Sequence, residues 1–236
     1  MGFDIVRAQS RDPEMPLDFD ETTAATIRFV RDFTMTPDTR VFALCEAVRY
    51  VERAGIRGAF VECGVWRGGS MMAAARTLLE VGQRRRELYL FDTFEGMSAP
   101  TTSDVTYNGE IASELLADAE SEYWCRAGVA DVRTNMRSTG YPEDRIHYVV
   151  GRVEDTVPGQ APAEIALLRL DTDWYESTRH ELMHLYDRVS PGGIVIIDDY
   201  GFWQGARKAT DEFLNSLPKA MFLHRIDYSG RLLVKD

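Results

Sequence analysis

Five short apolar runs, at residues 59–63, 88–91, 146–150, 165–170 and 194–197, punctuate the chain, each followed by a turn and a helix-length stretch. Runs this short and this rich in Val, Ile and Leu suit strands covered on both faces. Strands that alternate with helices must lie parallel, joined by right-handed crossovers. Two last runs, 221–226 and 231–234, are separated only by Asp227-Tyr228-Ser229-Gly230. A link that short cannot cross over, so it predicts an antiparallel hairpin at the sheet edge. The expected architecture is α/β: a mostly parallel seven-stranded sheet with a C-terminal hairpin and helices on both faces.

At 236 residues the chain has the size of one domain with an ample core. Helices are expected at 22–35 and 38–54; in the second, Val41, Leu44, Cys45, Val48 and Val51 recur at spacings of three and four. Residues 1–37 read as an N-terminal arm and helix, and 38–236 as the main domain. The stretch 96–140 is too long for one crossover helix and reads as a lid-like insertion with helices at 110–123 and 126–138.

Charge excludes two classes of partner. With 27 Lys and Arg against 38 Asp and Glu, the net charge of −11 repels nucleic acid and anionic membrane surfaces alike. Three scattered cysteines, Cys45, Cys63 and Cys125, form neither a disulfide framework nor a thiolate metal site. Residues 1–20 lack the apolar core of a signal peptide, and no run is long enough to span a bilayer. The expected setting is a reducing cytoplasm. Nothing in the sequence decides the oligomeric state; a homodimer is admissible.

Open parallel sheets bind ligands beyond the carboxyl ends of their strands. The first run ends in Glu62-Cys63-Gly64-Val65-Trp66-Arg67-Gly68-Gly69-Ser70. The glycines permit a tight strand-to-helix turn, but the spacing is neither GxGxxG nor a P-loop. Glu62 suits a cationic group such as an α-amino group; Gly64 lets a ligand approach the backbone. Ser70, at a helix start, suits the matching carboxylate. Asp92, ending the second run, suits two ribose hydroxyls. Val153 and Glu154, after the third, lie where an adenine would pack. A nucleoside joined to an amino acid, with no phosphate, is S-adenosylmethionine. Each acid taken singly is equally a solvated turn residue; the set at this spacing favours the ligand.

The fourth run ends in Asp171-Thr172-Asp173-Trp174 and the fifth in Asp198-Asp199-Tyr200. Asp171 and Asp198 are 27 positions apart, one strand–helix–strand unit, so both tips emerge side by side. The bland alternative is helix capping. Clustered carboxylates without His or Cys call for a hard cation, Mg²⁺ or Ca²⁺. Such an ion would bind two neighbouring hydroxyls and acidify one, leaving Asp171 to take the proton. His180-Glu181-Leu182-Met183-His184 spells the zinc-protease signature HExxH. Helical periodicity, however, turns both histidines away from the apolar stripe of Thr178, Leu182 and Leu185, so surface histidines are expected.

Residues 60–70, Phe91-Asp92-Thr93-Phe94-Glu95-Gly96-Met97, residues 168–178 and Ile197-Asp198-Asp199-Tyr200-Gly201 resemble the macrocin O-methyltransferase family. The resemblance implies an S-adenosylmethionine-dependent methyltransferase fold, with Mg²⁺ on Asp171, Asp198 and Asp199 and Asp171 as general base. It implies as acceptor a sugar hydroxyl on a glycosylated small molecule, a macrolide or other polyketide-type antibiotic. A more distant likeness to catechol O-methyltransferase has one departure: Trp174 stands where those enzymes carry a lysine base, which leaves Asp171, and less readily Asp173. Phe94, Tyr123, Trp124 and Trp203 are candidates to line the acceptor pocket. The competing readings are a nicotinamide oxidoreductase using Asp92, and a non-catalytic binding module.

Overall fold

The computed structural model describes residues 15–118 and 121–236; most of the expected N-terminal arm lies outside them. Seven strands form one sheet in the order β3-β2-β1-β4-β5-β7-β6. They are β1 Ala59–Cys63, β2 Leu88–Asp92, β3 Ile146–Val150, β4 Ile165–Leu170, β5 Val189–Ile197, β6 His224–Arg225 and β7 Arg231–Val234. The first five are parallel, and β7 and β6 run antiparallel, as the short link at Asp227–Gly230 requires. Chain order reverses between β1 and β4, which opens a crevice above their carboxyl ends.

Alternating side chains of each strand feed two cores, because successive residues point to opposite faces. On one face Phe60, Leu88, Leu90, Leu167 and Ile196 pack under α1 Glu21–Val30, α2 Asp38–Arg53 and α3 Gly69–Glu80. On the other, Val61, Cys63, Phe91, Leu168, Leu170 and Ile197 pack under α7 Tyr175–Leu185 and, at its edge, α8 Gln204–Ser216. The stripe predicted for α2 is buried throughout. Asp20 caps α1 by accepting from the Thr23 amide at 2.9 Å, and Ile27 and Val30 sit in the first core.

Three elements differ from the sequence expectation. The helix expected at 110–123 shrinks to α4 Ala112–Leu115 and a 3₁₀ turn at Glu122–Trp124. Around α4 only Ala112 and Leu116 are buried, too narrow a face to hold a long helix. By contrast α5 Val129–Ser138 buries Val132 and Met136 and forms close to where it was expected. β5 starts at Val189 rather than at the expected Ile194, and a register shift against β4 absorbs the irregularity. β6 retains only two residues, because the preceding Phe222 is 81% exposed and has no core to join.

His180 and His184 are half-buried rather than solvated, because α7 also packs on the short helix α6 Val153–Thr156. His180 Nε2 lies 3.0 Å from the Val157 carbonyl, and Glu181 between them is fully buried. The zinc motif is therefore spent on packing. Among the described residues only Asp171, Asp198 and Asp199 bring three potential metal ligands together.

Candidate active site

β1 leads into its loop through Gly64, at φ +81°. A Cβ there would lie 2.0 Å from the Asp171 carbonyl, so only glycine lets the ends of β1 and β4 come together. Asp92, at the tip of β2, then fixes the loop. Its Oδ2 accepts from the Val65 and Trp66 amides at 2.6 and 3.1 Å, and its Oδ1 from the Phe94 amide at 2.7 Å. Above these strand ends lie two adjoining cavities that share Gly64, Asp92, Gly96, Met97 and Asp171. The smaller, about 60 Å³, is walled by Gly151, Val153, Glu154 and Thr172. The larger, about 430 Å³, takes in Ser70, the Asp171, Asp198 and Asp199 carboxylates, and an aromatic wall.

Of the six residues expected to meet the cofactor, Gly64, Ser70, Asp92, Val153 and Glu154 line one cavity or both. Glu62 lines neither. It is 1% exposed; its Oε1 accepts from Arg169 Nη1 at 2.7 Å, and its Oε2 has no partner. Burial outweighs Arg169 and pushes its carboxyl up to about 7.

Carboxylate oxygens of Asp171, Asp198 and Asp199 lie within 4.8 Å of one another. Such proximity needs counter-charge, and two buried arginines supply it. Arg169 donates to Asp171 Oδ2 at 2.7 Å and to Asp198 Oδ1 at 2.5 Å. Arg40 donates to Asp198 Oδ2 and, through two further nitrogens, to Asp227 at 3.0 and 3.1 Å. Burial raises the Asp198 carboxyl, but Arg169 and Arg40 prevail and hold it below its ordinary value. Asp171 and Asp199 are pushed well above theirs, first by burial and then by neighbouring acids, against the pull of Arg169. Asp173, at φ +66°, rises to about 8 through burial and Asp171, although Trp203 Nε1 donates to it at 2.6 Å.

Tyr123 and Trp203 stand in the wall of the larger cavity as expected, joined by Phe33, Trp174, Phe202 and Tyr228. Phe94 is instead buried in the first core, and Trp124 faces Arg126, so neither lines a cavity. Trp174, at the position of the catechol enzymes' lysine, is 3% exposed and donates Nε1 to the Ser98 carbonyl at 2.9 Å. Sequence reasoning missed Arg40 and Arg169. Each left a trace: Arg169 is the lone charge inside the apolar run 165–170, and Arg40 precedes Leu44, Ala47 and Val51 on their own helix face.

This sheet order and its crevice define the fold of the S-adenosylmethionine-dependent methyltransferases. Solved structures agree: the O-methyltransferase NovP superposes with TM-score 0.75 at 28% identity, over 86% of this chain and 82% of that one. The calicheamicin methyltransferase CalS11 shares the fold, with TM-score 0.64 at 20% identity over 91% of each chain. The family described as Macrocin-O-methyltransferase (TylF) matches residues 8–234. The chain belongs to this family and is an O-methyltransferase. It is 35% identical over 197 residues to 8-demethyl-8-(2,3-dimethoxy-α-L-rhamnosyl)-tetracenomycin-C 4'-O-methyltransferase of Streptomyces olivaceus, covering 84% of this chain and 73% of that protein. It is 32% identical to mycinamicin III 3''-O-methyltransferase of Micromonospora griseorubida, covering 76% of this chain and 69% of that protein. Membership displaces the oxidoreductase and binding-module readings. No described helix is long and apolar enough to cross a membrane.

Proposed function

We propose that the protein transfers the methyl group of S-adenosylmethionine to a sugar hydroxyl of a glycosylated natural product. The observation that carries this reading is one crevice in which a glycine-turned loop, Asp92 and three converging carboxylates share walls. The substrate class is supported by relatives named for a rhamnosyl tetracenomycin, mycinamicin III and demethyldecarbamoylnovobiocin.

The nucleoside end of the cofactor is assigned to the side of the smaller cavity, toward Val153 and Glu154, and reaches into the space both cavities share beside Asp92. The amino-acid end fits the larger, between Gly64 and Ser70 at the start of α3. Asp92 keeps the loop in register and stands in the wall of both cavities, beside the proposed ribose position. Glu62 supports this end from behind the wall rather than by contact.

Asp171, Asp198 and Asp199 suit a divalent cation: all three are hard oxygen donors, and two arginines do not balance the acids gathered there. When bound, Mg²⁺ supplies the positive charge that acidifies a sugar hydroxyl. Asp171, open to both cavities, is the group that takes the proton. Burial raises its affinity for protons above that of an ordinary carboxylate, the direction a general base needs. Trp203, Phe202 and Tyr228 shelter the acceptor from water and hold it in line with the methyl group, so orientation supplies much of the rate.

The test is Asp198→Ala, assayed with the rhamnosylated tetracenomycin as acceptor. Turnover is expected to fall at least about 100-fold, the scale of losing one preorganised electrostatic partner. Calorimetry should still register S-adenosylhomocysteine. Undiminished turnover after exhaustive EDTA treatment defeats the metal part of the reading; no S-adenosylhomocysteine binding by the unmutated protein defeats the cofactor part.

A further inference from the structure

A cation buried beside a proposed cation site demands a reason. Arg169 is 3% exposed, yet its two terminal nitrogens make four hydrogen bonds to four separate segments. Nη1 donates to Glu62 Oε1 in β1 and to Asp171 Oδ2 just past β4, each at 2.7 Å. Nη2 donates to Asp198 Oδ1 just past β5 at 2.5 Å and to Thr36 Oγ1 at 2.9 Å, in the connector that walls the larger cavity. By Coulomb's law alone its positive charge weakens the hold of Asp171 and Asp198 on a divalent ion. A planar, rigid fork does something a point charge cannot: it fixes the directions of several carboxylates at once.

We infer that Arg169 is a positioning residue that sets the spacing and orientation of Asp171 and Asp198 as metal ligands, with Glu62 as its buried hydrogen-bond anchor. This rests on the reading of the three aspartates as a cation site. Glu62 thereby gains a role other than the ligand contact its sequence position suggests. It anchors the free end of the fork on β1, and its second oxygen stays unpartnered because Arg169 engages only the first. Thr36 closes the remaining side, so the same fork ties the ligands to the connector that walls the larger cavity.

The experiment is Mn²⁺ binding followed by electron paramagnetic resonance on the full chain, with S-adenosylhomocysteine binding measured separately by calorimetry. Arg169→Lys keeps the charge and loses the fork. Positioning predicts Mn²⁺ binding weaker by about tenfold or more, the scale of losing a group that orients metal ligands, with S-adenosylhomocysteine affinity within about twofold. Arg169→Gln removes the charge as well. Electrostatics without positioning predicts tighter Mn²⁺ binding; positioning predicts weaker binding and a broadened spectrum from a less regular site. Should Arg169→Gln fail to fold with Glu62 left bare, the double variant E62Q/R169Q removes the pair together and carries the same two opposed expectations. Mn²⁺ affinity in Arg169→Lys equal to that of the unmutated protein, or tighter in either glutamine variant, overturns the inference. No Mn²⁺ binding by the unmutated protein overturns it together with the metal reading, so the two failures are distinct.

Discussion

Asp92 and Asp198 occupy equivalent places, each at the carboxyl end of a parallel strand facing one crevice, yet they are neutralised in opposite ways. Asp92 is held by backbone amides of the neighbouring loop and of its own turn, the farthest 27 residues away. Asp198 is held by side chains, Arg169 from the adjacent strand and Arg40 from a helix 158 residues earlier. The first arrangement is local and comes with the strand–turn–helix motif. The second exists only once α2, β4 and β5 have assembled. The Asp92 side of the crevice is thus held by backbone, and the Asp198 side by long-range ion pairs.

The sharpest way to break that contrast is to remove Arg40. Arg40→Met leaves Asp198 and Asp227 short of a buried partner and should cost about 3–5 kcal/mol in denaturant unfolding. A loss below about 1 kcal/mol would place the pair among surface bridges and erase the distinction.

Next comes a pH effect. Glu62, at about 7 in the fold against an ordinary 4.5, takes up a proton on folding between those values. Its contribution therefore favours the fold at low pH and is lost as pH rises from about 4.5 toward 7. Glu62→Gln cannot titrate. In metal-free protein the stability of wild type relative to this variant should fall by roughly 3 kcal/mol across that window. A flat difference would mean that Arg169 keeps Glu62 ionised throughout.

On the backbone side the stakes are smaller. Asp92→Asn keeps one acceptor oxygen but loses the charge that three amides share, and should cost about 2 kcal/mol together with weaker S-adenosylhomocysteine binding. Equal losses for Asp92→Asn and Arg40→Met would collapse the comparison. Smallest is Trp203→Phe, which removes the 2.6 Å donor to Asp173 and should cost about 1 kcal/mol. Its stronger effect should be on the KM of the acceptor, since Trp203 lines the larger cavity.

Legibility followed the same divide. Strands β1, β3 and β4, the stripe of α2 and the terminal hairpin could be read directly, because each depends on periodicity or on the length of one link. Spacing also brought Asp171, Asp198 and Asp199 to one place, since adjacent parallel strands end together. The 110–123 segment misled because its residues favour a helix locally while only Ala112 and Leu116 find a core. The HExxH stretch was expected to present both histidines at the surface; they are half-buried because α7 also packs on α6, a contact that periodicity along one helix does not show.

What the sequence determined by itself was therefore the α/β order, the sheet edge and the residues at each strand tip, all consequences of short-range pattern. Tertiary structure alone decided how those tips are charged: that Glu62 withdraws behind the wall, that Arg169 and Arg40 reach the aspartates, and that Phe94 turns inward while Tyr123 does not. Electrostatics in a buried crevice depends on distances of a few ångströms between residues 107 or 158 positions apart, and no pattern along the chain encodes them.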